Sequence, residues 1–206
     1  MIVKVCGMRD AENIRKVDEL GNVDWMGFIF FPPSSRNVEC LPSYMPKRCK
    51  RVGVFVNEDM NSIANKCNEF GFSIVQLHGH ETPEYIKELR TIIGDNIKII
   101  KMIQIASEED INNTSKYDGI VEYFLFETKC SSYGGSGQKF DWNLLRRYNG
   151  TTPFILTGGL APGDEDCVLA FKHPTFAGID LNSKFEISPA LKNIEALKQF
   201  INKVKQ

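Results

Sequence analysis

Residues 51–77 read RVGVFVNEDMNSIANKCNEFGFSIVQL, two short apolar runs separated by a segment with helical spacing. In the middle segment, apolar side chains recur every three or four positions from Met60 to Phe70, which is the period of an amphipathic helix. Gly71 follows, and glycine commonly ends a helix. The two flanking runs do not alternate between apolar and polar residues, which is typical of parallel strands covered on both faces. The stretch therefore predicts a strand, a helix and a second strand.

The same pattern recurs along the whole chain of 206 residues. Eight apolar runs are predicted to be strands, at 2–6, 25–30, 51–56, 73–77, 97–103, 123–127, 153–156 and 176–180. Eight strand-and-helix repeats are typical of an α/β fold, the (β/α)8 TIM barrel, whereas a doubly wound sheet more often has five or six strands. We expect eight parallel strands in one domain spanning residues 1–206. Pro42 and Pro46 predict that the second helix is short or irregular.

Composition limits the classes of function. The 25 basic and 26 acidic residues are interspersed and give a net charge of −1, so we expect neither a nucleic-acid partner nor a membrane partner. The six cysteines are scattered without a C-x-x-C pair, which predicts no zinc site and no dense disulfide framework. No apolar run of about 18 residues and no signal-like N-terminus is present. A cytoplasmic protein is expected, and it could be a monomer or a homodimer.

Two predicted strand ends indicate a phosphate site. The seventh run opens into residues 157–160, TGGL, and the eighth into residues 180–183, DLNS. The loops after strands seven and eight of TIM barrels often bind phosphate through backbone N–H groups, and glycines allow a close approach. An ordinary tight turn is the alternative interpretation of the glycine pair. The predicted phosphate-binding residues are Gly158, Gly159, Asn182 and Ser183.

Two side chains at strand ends could transfer protons. Cys6 ends the first run and faces the predicted barrel mouth, where a thiol could act as a base if its pKa fell from about 8.5 towards neutrality. A buried cysteine that only fills space is the alternative. Glu127 ends an apolar run, where burial would raise its pKa and favour a general acid. A salt bridge from Glu127 to Lys129 or Arg51 is the alternative.

Three further features lie near the predicted mouth. His78 and His80 could form half of a metal site, but no third ligand is convincingly placed, so we predict no metal and assign His78 to substrate binding. Arg36 follows a Pro-Pro segment and could bind a carboxylate through two hydrogen bonds, although a solvated surface arginine is the alternative. Residues 133–137, YGGSG, predict a substrate-covering loop that includes Gly135; without a Walker lysine it is not a nucleotide P-loop.

Six motifs then occur in the order in which one known family has them. They are KVCGM at 4–8, GFIFxPxSxR at 27–36, VGVFVN at 52–57, VQLHG at 75–79, YGGSGxxFDW at 133–142 and TGGL at 157–160. Together they closely resemble the phosphoribosylanthranilate isomerase family of tryptophan biosynthesis, over essentially the whole chain. The resemblance implies an aldose–ketose isomerase that needs no cofactor. Its reaction would be the Amadori rearrangement of N-(5-phosphoribosyl)anthranilate to 1-(2-carboxyphenylamino)-1-deoxyribulose 5-phosphate.

The resemblance also implies roles for individual residues. The family's acid, at the position of Glu127, protonates the ribose ring oxygen, and Cys6 matches the cysteine that removes the proton from C2 of the sugar. Arg36 matches the arginine that meets the anthranilate carboxylate, and Asp180 matches an aspartate at the end of strand eight. The residues that match the phosphate loops are Gly158, Gly159 and Ser183.

The chain departs from the family pattern at two places. Glu127 stands where the family has Asp, and the additional methylene matters because a shift of about 1 Å in a catalytic group can cost on the order of 100-fold in rate. After Asp180, residues 181–186 read LNSKFE where the family has VSSGVE, so that Lys184 replaces a glycine and could contact the phosphate.

Two alternatives remain beside this isomerase. A related phosphosugar barrel is one, but a histidine-pathway isomerase would have an aspartate in place of Cys6. An indole-glycerol-phosphate synthase would have a catalytic lysine, and Lys4, although it shares the inward-facing parity of Cys6, lies deeper in the barrel. The second alternative is a catalytically impaired copy that binds phosphosugars, because of Glu127.

Overall fold

The computed structural model describes residues 1–128 and 142–206 and contains a closed barrel of eight parallel strands. Each strand pairs with the next, and the eighth pairs with the first. The strands are β1 (Ile2–Val5), β2 (Trp25–Phe30), β3 (Lys50–Phe55), β4 (Ile74–Leu77), β5 (Lys98–Ile105), β6 (Tyr123–Thr128), β7 (Phe154–Thr157) and β8 (Phe176–Leu181). The predicted TIM barrel is confirmed, and each predicted strand boundary lies within two residues of the observed one.

Helices and 3-10 turns connect the strands. The helices are α1 (Ala11–Glu19), α2 (Met60–Phe70), α3 (Pro83–Ile93), α4 (Glu108–Asn112), α5 (Glu165–Ala170) and α6 (Ile194–Val204). After β8, a 3-10 turn (Ser183–Phe185) leads into an antiparallel hairpin of β9 (Glu186–Ser188) and β10 (Leu191–Lys192). Gly71 ends α2 in the left-handed conformation with φ of 65°, as predicted. None of the helices in the described ranges has the length and apolar character to cross a bilayer.

The inside of the barrel is apolar with a few polar exceptions. The apolar side chains that fill it come from most of the strands and include Val52, Val54, Ile74, Ile100, Leu125 and Ile155. Lys4, Gln76 and Asp180 are also buried, although lysine, glutamine and aspartate are rarely found in a core. All three lie towards the carboxyl ends of their strands, the end where TIM-barrel active sites lie.

The connection from β2 to β3 contains no helix. Residues 31–49 form turns and bends, so the second helix, which was predicted to be short or irregular, is replaced by irregular structure. The carboxylate of Asp18 in α1, only 3% exposed, holds this segment. It accepts hydrogen bonds from the Tyr44 hydroxyl at 2.9 Å and from the backbone N–H groups of Lys47 at 2.9 Å and Arg48 at 3.0 Å. One buried carboxylate thus replaces the packing that a helix would provide.

This anchor predicts a pH-dependent contribution to stability. Burial raises the pKa of Asp18, but the backbone hydrogen bonds and the Tyr44 hydroxyl outweigh burial, and the pKa is lowered. A lowered folded-state pKa stabilises the fold above the unfolded value of about 3.9, and this is lost as the pH falls through the folded value. We expect Asp18→Asn to lower the free energy of unfolding by about 1–3 kcal/mol at pH 7, because an amide NH2 would face three donors.

Urea unfolding at pH 7, 5 and 3 measures this effect. The difference between wild type and Asp18→Asn should be largest at pH 7 and should shrink towards pH 3. Glu12→Gln, on the exposed side of the same helix, is the control and should change stability little at any of these values. A difference for Asp18→Asn that stays constant with pH would contradict the assignment.

Candidate active site

A cavity of about 480 Å³ opens at the carboxyl ends of the strands, a volume typical of small-molecule sites. Nine of the ten predicted site residues line it: Cys6, Arg36, His78, Glu127, Gly158, Gly159, Asp180, Asn182 and Ser183. The tenth, Gly135, lies outside the described residues. The structure therefore brings together residues that are far apart in the sequence, such as Cys6 and Ser183, which are separated by 177 positions. The individual roles of these residues remain predictions.

Cys6 is held on the floor of the cavity by the barrel itself. Its backbone N–H donates to the carbonyl of Leu181 at 2.9 Å, which continues the pairing of β1 with β8. The side chain passes over Gly27 of β2, where an added Cβ would lie 2.8 Å from the Cys6 sulfur and 3.3 Å from Cε of Lys4. Glycine at position 27 therefore makes room for both side chains.

The thiol of Cys6 is not acidic in this setting. Burial raises its pKa, the positive charge of nearby Lys4 lowers it, and the negative charge of Asp180 raises it. The net pKa of Cys6 lies above its ordinary value, so the fall towards neutrality, which was the stated condition for a base, is not found in this structure. The physical reason is that Cys6 is 4% exposed, and low dielectric disfavours a thiolate.

Lys4 and Asp180 form an ion pair beside Cys6. Lys4 Nζ lies 2.7 Å from Asp180 Oδ2, and both side chains are buried. Burial lowers the pKa of Lys4, but the charges of Asp180 and Cys6 outweigh burial and the pKa is raised, so that Lys4 carries a positive charge at neutral pH. The second carboxylate oxygen of Asp180, Oδ1, is buried and has no hydrogen-bond partner among the described residues. It is an acceptor at the cavity wall.

Glu127 faces His78 across the cavity mouth. His78 Nε2 lies 3.6 Å from Glu127 Oε2, and the Glu127 side chain is 35% exposed. The contact with His78 lowers the pKa of Glu127 and outweighs burial, which raises it. The predicted rise in the pKa of Glu127 is therefore wrong, because the sequence did not reveal the neighbouring imidazole. The alternative partner Arg51 donates instead to the carbonyl oxygens of Pro46 and Phe70.

Gln76 orients the imidazole of His78. The Gln76 amide nitrogen lies 3.0 Å from His78 Nδ1. When the amide donates this hydrogen bond, the proton of a neutral imidazole lies on Nε2, the nitrogen that faces Glu127. A buried amide two residues earlier on the same strand thus sets which ring nitrogen points at the carboxylate.

Arg36 is held by a buried carboxylate that we did not predict. Its Nε lies 2.9 Å from Glu186 Oε1, and its Nη2 lies 2.5 Å from Glu186 Oε2. Lys192 Nζ lies 2.6 Å from the same carboxylate and 2.8 Å from Asn182 Oδ1. We call Arg36, Asn182, Glu186 and Lys192 the Glu186 network. The Nη1 group of Arg36 takes part in none of these bonds, and Arg36 lines the cavity.

The two loops predicted to bind phosphate border the same cavity. Gly158 and Gly159 have φ of 94° and 74°, a conformation that favours glycine. An added Cβ at Gly159 would meet no atom within 4 Å, so the backbone angle and not space requires glycine there. Ser183 begins the 3-10 turn on the opposite loop. Lys184 is exposed and is not among the residues that line the cavity.

A second buried ion pair supports the mouth from outside the barrel. Lys101 Nζ lies 2.9 Å from Glu81 Oε2 and donates to the carbonyl of Gly79 at 2.7 Å. Glu81 accepts hydrogen bonds from the backbone N–H groups of Asn57 at 2.8 Å and Gly79 at 3.0 Å. The Asn57 side chain in turn accepts from the N–H of His80 at 2.6 Å. The loops after β3 and β4 are therefore tied together, next to His78.

Metal ligands are not clustered in the part of the chain that the structure describes. No group of three or more His, Cys, Asp or Glu side chains in residues 1–128 and 142–206 could hold a metal ion. His80 is exposed, while His78 contacts Gln76 and Glu127.

Comparison with known proteins gives one consistent result. Residues 3–203 match the family model described as N-(5'-phosphoribosyl)anthranilate (PRA) isomerase. A protein of Phocaeicola vulgatus with the name N-(5'-phosphoribosyl)anthranilate isomerase is 52% identical over 206 residues, which covers 100% of this chain and 98% of that protein.

Solved structures agree with the family match. The phosphoribosyl anthranilate isomerase of Thermotoga maritima is 32% identical, with a TM-score of 0.80 and coverage of 100% of this chain and 99% of that chain. A second such isomerase, solved with reduced 1-(o-carboxyphenylamino)-1-deoxyribulose 5-phosphate, is 29% identical, with a TM-score of 0.77 and the same coverage.

Proposed function

The chain belongs to the N-(5'-phosphoribosyl)anthranilate isomerase family of tryptophan biosynthesis, and we propose that it works by general acid and base catalysis with Cys6 as the base and Glu127 as the acid. One observation carries the proposal: both side chains line the same cavity. Cys6 follows β1 and Glu127 lies in β6, and the loops of β7 and β8 come between them around the barrel. A phosphate held by those loops would place its sugar between the two groups.

The remaining residues fit the other parts of the substrate. The backbone at Gly158, Gly159 and Ser183 would bind the phosphate, and the Nη1 side of Arg36 would meet the anthranilate carboxylate. Asp180 Oδ1, a buried acceptor, would take a hydroxyl group of the sugar, since an unsatisfied buried oxygen costs about 1–3 kcal/mol. The isomerase solved with a reduced carboxyphenylamino-deoxyribulose phosphate supports this arrangement, because that ligand carries all three groups.

The chemistry needs a proton donor, a proton acceptor and no electron carrier. Protonation of the ring oxygen breaks its bond to C1 and leaves an iminium ion. Loss of the proton from C2 then moves its electron pair towards the iminium, so that C1 is reduced while C2 is oxidised, and tautomerisation of the enolamine gives the ketone. The iminium charge beside Cys6 favours a thiolate, which offsets the effect of burial on the pKa of the thiol.

The acid is best described as a pair. Contact with His78 lowers the pKa of Glu127, so Glu127 alone holds its proton weakly at neutral pH. We infer that the His78 imidazole, whose Nε2 faces the Glu127 carboxylate, shares the proton for ring opening with it. The longer side chain of Glu127, compared with the aspartate of the family, brings its carboxylate within 3.6 Å of the imidazole.

Turnover of freshly generated phosphoribosylanthranilate, followed by its fluorescence, tests the function and the acid together. We expect the parent protein to be active and Glu127→Gln to lose about 100-fold or more in kcat, the usual contribution of a general acid. Glu127→Asp should fall by roughly 10-fold or more, because the shorter side chain withdraws the carboxylate by about 1 Å. Glu195→Gln, on the exposed face of α6, is the matched control and should match wild type.

The same assay decides about the impaired-copy alternative. An inactive parent that gains activity in Glu127→Asp would establish a phosphosugar-binding copy and refute the proposal. The alternative of a synthase with Lys4 as its catalytic group has less support, because Lys4 is fully buried and its ammonium group is paired with Asp180.

A further inference from the structure

We propose that Lys4 is a positioning residue for the isomerisation, whose buried ammonium group holds the Cys6 sulfur and the Asp180 carboxylate in place on the floor of the cavity. The inference rests on the proposed role of Cys6 as the base. It assigns a function to a charged side chain that touches neither the proposed phosphate site nor the proposed carboxylate site. Lys4 is a positioning residue because it would act through Cys6 and Asp180.

The geometry places Lys4 against Asp180 and close to Cys6. Lys4 and Cys6 are two positions apart on one strand and therefore point into the barrel on the same side. Both pack over Gly27, which leaves room for their side chains. From the neighbouring strand, Asp180 receives the ammonium group at 2.7 Å. A lysine with 0% exposure is rare unless it is paired, and here the pair lies directly below the predicted base.

The surrounding charges define what the ammonium group does. The Cys6 sulfur interacts electrostatically with four charged groups, which belong to Lys4, Asp180, Lys192 and Arg36. Lys4 favours the thiolate most strongly among the nearby charges, and Asp180 disfavours it. Lys192 and Arg36 share Glu186 as their partner, which offsets part of their charge. Lys4 is thus the cation that most directly supports deprotonated Cys6.

Two substitutions then have opposite expected effects on the thiol. Lys4→Met keeps an unbranched apolar stem but removes the cation, so the thiolate of Cys6 becomes harder to form. Asp180→Asn removes the negative charge that pairs with the Lys4 ammonium group. The ammonium group can then stabilise the Cys6 thiolate alone, so the thiolate becomes easier to form. If Lys4 only filled space in the core, the two substitutions would not change thiolate formation in opposite directions. Both would instead disturb the packing around Cys6 in the same way.

Alkylation of Cys6 by iodoacetamide measures this directly, without turnover. The rate of carbamidomethylation is followed at Cys6 by peptide mass spectrometry between pH 6 and pH 9 on folded protein. We expect the rate at pH 8 to fall about 10-fold or more in Lys4→Met, the effect of one pKa unit, and to rise in Asp180→Asn. Glu81→Gln combined with Lys101→Met is the matched control, since it removes an equally buried lysine–carboxylate pair outside the barrel and leaves neither charge unpaired. It should leave the rate at Cys6 unchanged.

Steady-state kinetics add a second readout. Lys4→Met should lower kcat and shift its pH profile towards alkaline pH, while KM changes little. If Lys4→Met does not fold, Lys4→Gln and Asp180→Asn carry the test. The proposal would be overturned by alkylation rates at Cys6 that change in the same direction in the Lys4 and Asp180 variants. Rates in those variants that match the rate in the Glu81→Gln, Lys101→Met control would also overturn it. Failure of the proposed role of Cys6 as the base can be distinguished from failure of this inference. In the first case, Cys6→Ala would keep its turnover, whatever the alkylation rates in the Lys4 and Asp180 variants.

Discussion

Cys6→Ala is expected to lower kcat by roughly 100- to 10,000-fold, the range that one general base contributes, and to leave KM nearly unchanged. The reason is specific to the cavity: Cys6 lies next to the Lys4–Asp180 ion pair and lines the same cavity as Glu127. The loss concerns the removal of the C2 proton, a step that the binding groups at Arg36 and Gly158 cannot replace. Initial rates with phosphoribosylanthranilate over a range of concentrations separate kcat from KM.

Cys67→Ala provides the matched control. Cys67 is also a buried free cysteine, and burial raises the pKa of its thiol to about 11. It packs in α2 against the hydrophobic core and does not line the cavity. We expect this variant to lose some stability and to keep its turnover. Full activity in Cys6→Ala would exclude Cys6 as the base, and equal losses in both variants would indicate a general effect of shortening a buried cysteine.

Glu81→Ala should produce the largest loss of stability, about 3–5 kcal/mol in the free energy of unfolding. Removing this carboxylate leaves the buried ammonium group of Lys101 without its counter-ion and the N–H groups of Asn57 and Gly79 without their acceptor. For a chain of this length, such a loss lowers the melting temperature by roughly 10 °C. Thermal and urea unfolding measure both quantities.

Two further variants separate charge from packing. Glu81→Gln combined with Lys101→Met removes both charges, and we expect it to recover part of the loss, since an uncompensated charge costs more than a neutral pair. Glu69→Ala breaks the partly exposed Lys66–Glu69 pair of α2 and should change stability by less than about 1 kcal/mol. The assignment of a structural role to the Glu81–Lys101 pair would be refuted if Glu81→Ala were no more damaging than Glu69→Ala.

The barrel could be predicted from the sequence because its signals are local. Strand β3, helix α2 and strand β4 follow from apolar spacing within 27 consecutive residues, and Gly71 ends the helix in the left-handed conformation that glycine favours. Thr82 caps α3 by accepting a hydrogen bond from the N–H of Tyr85, and Pro83 follows at the first helical position, where proline is common. The positions of the site residues could also be predicted from the sequence, because the carboxyl ends of the strands in a TIM barrel meet at one face.

The electrostatics of the site could not be predicted, because they depend on contacts between distant residues. Glu186 meets Arg36 across 150 positions, and no periodicity in the sequence indicates that contact. The pKa of Glu127 moves in the direction opposite to the predicted one, since the deciding neighbour, His78, comes from another strand. The family pattern VSSGVE carries a glutamate at the position of Glu186, which was the one available signal for this residue.

The Glu186 network has a consequence for how a ligand is recognised. The Glu186 carboxylate pairs with two cations, Arg36 and Lys192. Arg36 is proposed to bind the carboxylate of the substrate, whereas Lys192 donates to Asn182 on a loop proposed to bind the phosphate. An anion that binds Arg36 weakens the pairing of Arg36 with Glu186, and the Glu186 carboxylate then pairs more strongly with Lys192. An anion near Asn182 would draw on Lys192 instead, and Glu186 would then pair more strongly with Arg36. Coupling of this kind is reciprocal by thermodynamic necessity. At the proposed sites the two ends of a substrate would thus be recognised cooperatively, and the affinities of separate aromatic and phosphate fragments would not sum to the affinity of the intact molecule.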